Sequence, residues 1–234
     1  MKVDEYFRDL YLQDLGKIVT YKNRNPRPRV RHIKMWEQVE SKIPEGAVVP
    51  LQLPPRVSGR QVWLWSDLHL NHKNIIEFSN RPFPDIETMN DALIQNFRDY
   101  VGPSDISIWV GDITFMGNTR TNELLDKCPG YKILIVGNHD FNKKKIRALN
   151  FDEIHMVRYI PMGDVEFVLS HYPMENLPER YFNIHGHTHD YLLDSMQHIN
   201  VSVESPYVHY RPVNLNVLYQ MAKLRVQNKP EPLL

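Results

Sequence analysis

Gln61-Val62-Trp63-Leu64-Trp65-Ser66-Asp67-Leu68-His69 sets the reading of this chain: a largely apolar run of strand length that ends abruptly on an acid and a histidine. The same event recurs downstream. Ile106 to Val110 gives way to Gly111-Asp112, and Lys132 to Val136 to Gly137-Asn138-His139-Asp140. Glu166 to Leu169 leads into Ser170-His171, and Tyr181 to Ile184 into His185-Gly186-His187-Thr188-His189. A further run covers Ile199 to Val203. Runs this short can be strand or buried helix, and their Gly and Pro punctuation and β-branched content favour strands.

Helical signals lie between the runs. Asp85 is a fitting N-cap, and Ile86, Met89, Leu93, Phe97 and Tyr100 recur at helical spacing until Gly102-Pro103 stops them. Asn118 to Lys127 and Lys143 to Leu149 are further helix candidates. Alternating strands and helices predict α/β layers, and the later strands, with little between them, predict a second sheet. The expected architecture is a sandwich of sheets flanked by helices.

Residues 1–59 read as an N-terminal extension to a domain at 60–222, with 223–234 as a tail. The extension predicts short helices over Asp4 to Leu15 and Met35 to Ile43. Between them, Lys17 to Lys34 holds seven basic residues and no acid, with Pro26 and Pro28 keeping it irregular. Pro44, Pro50, Pro54 and Pro55 read as a linker.

Bulk properties narrow the class. The 234 residues are 42% hydrophobic and 24% charged, with zero formal net charge, so any polyanion binding needs a local patch. Cys128 is the lone cysteine and forms no internal disulfide; in Lys127-Cys128-Pro129-Gly130 it reads as structural. Early acids at Asp4 and Glu5 argue against a signal peptide, and no stretch approaches the roughly 20 apolar residues of a membrane span. A cytoplasmic protein, or one of a host cytoplasm if phage-encoded, is expected, with no membrane partner.

The polar pieces carry the chemistry. Taken singly, each has an ordinary explanation: Gly-Asp is a common turn, Asn-His-Asp suits a turn or cap, and paired histidines decorate exposed strands. Taken in order after strand-like runs, they predict a metal site on loops at the carboxyl ends of strands. Asp67 and His69, one residue apart, share a face if the chain is extended, and His187 and His189 repeat the spacing. Asp112 has two oxygens, enough to bridge two cations about 3.5–4 Å apart. Asp, Asn and His ligands without thiolate suit Mn, Fe, Zn, Co or Ni.

Together these motifs resemble the calcineurin-like metallophosphoesterase superfamily over about 60 to 220. Within it, His72, Asn74-Ile75-Ile76, Arg81-Pro82-Phe83 and the stretch from Ile199-Asn200-Val201 to Arg211-Pro212-Val213 resemble a group of small bacterial and phage members. The resemblance implies a four-layer α/β/β/α sandwich and two divalent metal ions, manganese first among the candidates. It implies one metal on Asp67, His69, Asp112 and His189, and the second on Asp112, Asn138, His171 and His187. His139 would contact the phosphate and act as general acid, with Asp140 orienting it. Many members carry an acid three residues after the bridging aspartate, where this chain has Phe115.

The expected activity is hydrolysis of a phosphate ester by in-line attack of a metal-bridging hydroxide, leaning to a phosphodiester of a nucleotide or nucleic acid. A phosphomonoesterase or protein phosphatase is the alternative, and a non-catalytic metal-binding scaffold a third class. Asn71, His72, Arg81 and Asn142 are the expected substrate contacts, Arg81 as a fork on phosphate oxygens. The basic stretch at 17–34 and Lys143-Lys144-Lys145 are candidates for a phosphate-tracking patch.

Overall fold

Alternation along the first strand already separates two cores. In β1 (Val62–Trp65), Trp63 and Trp65 join a core shared with helices, whereas Leu64 points into a core between two sheets. The computed structural model describes residues 59–140, 146–193, 195–205 and 208–227. The expected N-terminal helices, the basic and proline-rich stretches, Asn142 and the three lysines after it lie outside the described residues.

After β1 come α1 (Ile75–Phe78), α2 (Ile86–Tyr100), β2 (Ile106–Trp109), α3 (Asn118–Leu125) and β3 (Tyr131–Ile135). The rest of the chain forms β4 (Glu153–His155), β5 (Val157–Met162), β6 (Val165–Ser170), β7 (Tyr181–His185), β8 (His198–Asn200), β9 (Val213–Asn214) and α4 (Leu215–Gln227). The first sheet has the order β4-β3-β2-β1-β9, parallel throughout except for antiparallel β9. The second is β5-β6-β7-β8, with β5 and β6 antiparallel and the other pairs parallel.

Helix α2 starts where the sequence places it. Asp85 is extended and its carboxylate accepts the Thr88 amide at 2.7 Å, satisfying one of the donors a helix start leaves open. Met89, Leu93 and Phe97, spaced by four, are fully buried against Trp65 and Trp109. Burying each such side chain contributes about 1.5–3 kcal/mol. Ile108, Ile133, Ile135, Phe167, Leu169 and Ile184 fill the space between the sheets, joined by Leu215, Leu218 and Ala222 of α4. Beyond the second sheet, Val168 packs with Val157, Tyr172 and Met174. Cys128 is buried, which pushes its thiol up to about 12 and suits a structural residue. Among the described residues, no helix is long and apolar enough to cross a membrane.

The mixed α/β reading with two sheets and helices therefore holds. The sequence patterns miss α1, β4, β5, β9 and α4. Strands β4 and β9 are too short to leave a pattern, and β5 is an edge strand interrupted by Arg158 and Pro161. Helix α4 keeps Leu215, Leu218 and Ala222 on one buried stripe and passes through residue 222 without a break.

Candidate metal centre

Five strand ends meet at one point. Asp67 follows β1, Asp112 follows β2, Asn138 follows β3, His171 follows β6, and His187 and His189 follow β7. The two sheets are stitched there: Ser66 bridges Ser202, and the Val203 amide donates to the Ser66 carbonyl at 3.0 Å.

The local backbone is not extended, which corrects the geometric basis for pairing Asp67 with His69. Asp67, His69, Asp112, His187 and His189 all have positive φ, between 50° and 68°. Left-handed backbone in non-glycine residues costs on the order of 1–3 kcal/mol each and persists where surroundings hold it in place. Here the Asp67 and His69 amides donate to the carbonyls of Gly111 and Asp112, each at 3.0 Å. The side chains converge by tight turning rather than by strand alternation.

Close approach is secured by glycine. Gly111 has φ of 89°, and a Cβ there would meet the His171 ring and lie 2.7 Å from the Gly137 Cα. At Gly186 a Cβ would run into the side chains of Ser66 and Asp67. Neither position has room for any side chain.

Each carboxylate has one oxygen committed and one turned inward. Asp67 Oδ2 accepts from Ser202 Oγ at 2.8 Å and from the His187 amide at 2.9 Å, whereas buried Oδ1 has no hydrogen-bond partner. That oxygen lies 3.9 Å from His69 Nε2 and 4.0 Å from His189 Nε2. Asp112 Oδ1 accepts the His139 amide at 2.9 Å. Its Oδ2 lies 3.5 Å from His69 Nε2, 3.4 Å from His171 Nε2 and 3.9 Å from His139 Nε2.

These separations suit a shared cation better than direct hydrogen bonds. Donors each roughly 2.1 Å from one ion lie about 3–4 Å from each other at ordinary coordination angles. His69 Nε2 is itself buried and without a hydrogen-bond partner. Among the described residues, three groups of donors each bring their ligand atoms within 4.8 Å of one another: Asp67, His69 and His189; Asp112, His171 and His187; and His69, Asp112 and His139. Asn138 Oδ1 stands 3.1 Å from His171 Nε2. The residues present therefore fit divalent metal.

Charge in the cluster is strongly coupled. Burial alone would lower His171, but the Asp112 and Asp67 carboxylates prevail and raise it to about 10. Burial dominates at His69 and lowers it to about 3 against the pull of the same two aspartates. Asp112 is held well below the usual carboxylate range: burial would raise it, but charged His171 and His69 beside it and the His139 amide together outweigh that.

Ring orientation is fixed from behind. His171 Nδ1 lies 2.8 Å from the Val110 carbonyl, leaving Nε2 toward the cluster. His189 Nδ1 lies 3.0 Å from Glu204 Oε1, an orienting carboxylate that sequence reasoning missed. Ser202 and Asn200 were missed too; the Asn200 amide donates to the His189 carbonyl at 2.7 Å and so pins its loop. The polar Asn200, Ser202 and Glu204, one residue apart and interleaved with buried Val201 and Val203, were the available signal.

Two expected roles change. Asp140 does not address the His139 ring. Its carboxylate accepts the amides of Asp112 at 2.8 Å, Gly137 at 3.0 Å and Ile113 at 3.1 Å, so it locks the turn that presents Asp112. Arg81 is buried and offers no fork to a substrate phosphate. Its guanidinium donates to the Leu68 carbonyl at 2.7 Å, the Asp67 carbonyl at 2.6 Å, and Glu204 Oε1 at 2.9 and 2.6 Å. Proline at the next position and the distant partner Glu204 concealed this role in sequence.

His72 and His139 do lie at the cluster. The His72 ring is 5.4 Å from the His69 ring and stacks on Phe115 at 4.2 Å. The His139 side chain is 39% exposed, against 3% for His69 and none for His171, so it meets solvent where they do not.

Several known proteins are similar to this chain. A family model described as calcineurin-like phosphoesterase matches residues 60–227. The chain is 32% identical over 174 residues to the uncharacterized protein MJ1445 of Methanocaldococcus jannaschii, covering 70% of this chain and 93% of that one. It is 28% identical over 171 residues to the Gene 66 protein of Mycobacterium phage L5, covering 59% of this chain and 81% of the phage protein. Among solved structures, a protein of unknown function from Aquifex aeolicus, AQ665, superposes with a TM-score of 0.56 at 27% identity, covering 70% of this chain and all of that one.

Proposed function

The chain belongs to the calcineurin-like phosphoesterase family, and we propose that it hydrolyses a phosphodiester, of the nucleotide class, with two divalent cations held at this centre. Asp67, His69, Asp112 and His189 would hold one; Asp112, Asn138, His171 and His187 would hold the other. The observation that carries this reading is the position of Asp112 Oδ2, buried and 3.4–3.9 Å from the Nε2 atoms of three histidines. A single carboxylate so placed serves both halves of the donor set.

A bound pair of divalent cations supplies Lewis acidity and hydroxide near neutral pH. The chain's own groups do the rest. Val110 and Glu204 hold His171 and His189 with their Nε2 atoms facing inward, so little reorganisation accompanies binding. Asp140 keeps Asp112 on its turn. His139, more exposed than His69, His171 and His189, is the proton donor to the leaving-group oxygen, acting from Nε2. Manganese is the expected cation, in keeping with an oxygen and imidazole donor set that contains no thiolate. We place the protein in the cytoplasm, in line with its lone, buried thiol.

The test is hydrolysis of bis-p-nitrophenyl phosphate beside p-nitrophenyl phosphate with added Mn²⁺. The expected result is cleavage of the diester in preference to the monoester, abolished by chelation. Preference for the monoester overturns the diester assignment and retains the phosphoesterase. No turnover of either compound by metal-loaded protein overturns catalysis and leaves a metal-binding scaffold.

A further inference from the structure

Phe115 lies against the donor cluster, and the structure gives it a surface role. It is 40% exposed, although it sits among polar groups at the mouth of the metal centre. Its ring stacks on His72, with centroids 4.2 Å apart and planes 22° apart, and lies 5.0 Å from the ring of His139. His69 is 5.6 Å away on a nearly parallel plane.

The ring stands on stiff backbone. Leu70 and Thr114 form a bridge, the Phe115 amide donates to the Leu70 carbonyl at 2.8 Å, and the Met116 amide donates to Thr114 Oγ1 at 3.0 Å. A singly exposed apolar side chain is ordinary on a protein surface, and Phe115 is set apart by its place beside the donor cluster, its ring backed on one side by His72. A face set this rigidly loses little freedom when a flat partner covers it.

Resting on the phosphodiesterase reading, we infer that Phe115, backed by His72, is the ledge on which a nucleobase of the substrate stacks while its phosphate is held at the metal centre. The rings of His139 and Phe115 are 5.0 Å apart, so one small ligand can present a phosphate to the first and a flat group to the second. Stacking of a base on an aromatic side chain strengthens binding about 5- to 150-fold and tolerates any base, since every base offers a π-face. Specificity by stacking would therefore select nucleotides as a class without selecting a sequence.

The experiment compares 5′-AMP with ribose 5-phosphate, which carries an anomeric hydroxyl in place of the base, by titration calorimetry on the full, Mn²⁺-loaded chain. AMP is expected to bind about tenfold more tightly. Phe115→Leu is expected to bring the two dissociation constants to within about twofold, and Phe115→Trp to keep or widen the gap. Equal affinities in the wild type, a gap that survives Phe115→Leu, or no measurable binding of either compound overturns the ledge. Turnover of bis-p-nitrophenyl phosphate, measured on the same sample, separates this outcome from failure of the phosphodiesterase reading, which would abolish that turnover.

Discussion

Asp112→Asn is expected to lower diester hydrolysis about a thousandfold or more while leaving the folded chain intact. In the proposed ligand assignment the carboxylate is the group common to both metals, with Oδ2 within 3.9 Å of His69, His139 and His171. Asparagine retains an oxygen for the His139 amide, which Asp112 Oδ1 now accepts at 2.9 Å, so the turn survives. It removes the anion that would lie between the two proposed cations. Charge stabilisation by metal in such sites amounts to several kcal/mol, and about 4 kcal/mol corresponds to a thousandfold in rate. Turnover within tenfold of wild type would remove Asp112 from the reaction.

The same substitution has a pH signature in the metal-free chain. His171 is raised to about 10 in the folded state, above the roughly 6.5 of an unfolded imidazole. A raised histidine contributes stability that is complete below about 6.5 and is lost as pH climbs toward 10. His69, lowered to about 3, acts oppositely and loses its contribution as pH falls from about 6.5 toward 3. Without the Asp112 charge the alkaline limb should flatten, though His189, raised by its hydrogen bond to Glu204 despite burial, keeps part of it. Thermal melts with chelator between pH 6 and 10 read this directly. An equally steep alkaline limb in Asp112→Asn contradicts the coupling.

The second large effect falls on stability. Arg81→Met is expected to destabilise the chain by about 3–5 kcal/mol, because removing one member of a buried ion pair strands the other. Glu204, 3% exposed, would face its site without its cation, and the carbonyls of Asp67 and Leu68 would lose their donors at 2.6 and 2.7 Å. For a domain of this size the melting midpoint should drop by about 10 °C. Arg81→Lys keeps charge without the fork and should recover only part of the loss. Metal affinity should fall alongside, since Glu204 also faces the His189 ring. A midpoint within 2 °C of wild type would show that Arg81 does not hold the Asp67 turn, about a fifth of the drop expected.

How much of this was legible beforehand differs between fold and site. The strands that end on polar pieces were visible because they are short, apolar and punctuated, and α2 because its cap and its four-residue spacing agree. Strand β9 was invisible because two residues, Val213 and Asn214, carry no period. The donors at the centre were readable because acid, amide and imidazole recur after strands. Their supports were not: Arg81 and Glu204 meet across 123 positions, and nothing local announces that pairing. Asp140 beside His139 invited a local role, yet its carboxylate turns to the amides of Gly137, Asp112 and Ile113. The left-handed turns at Asp67 and His69 were likewise unreadable, since φ above zero is expected of glycine and asparagine first.

Most direct is the stoichiometry of Mn²⁺ bound by the metal-depleted chain, followed by calorimetry with electron paramagnetic resonance on the same samples. Two equivalents per chain, with a spin-coupled signal and with one equivalent lost in His171→Ala, are the expected result. One equivalent, or two magnetically isolated ions unaffected by His171→Ala, would contradict a dinuclear centre built around Asp112.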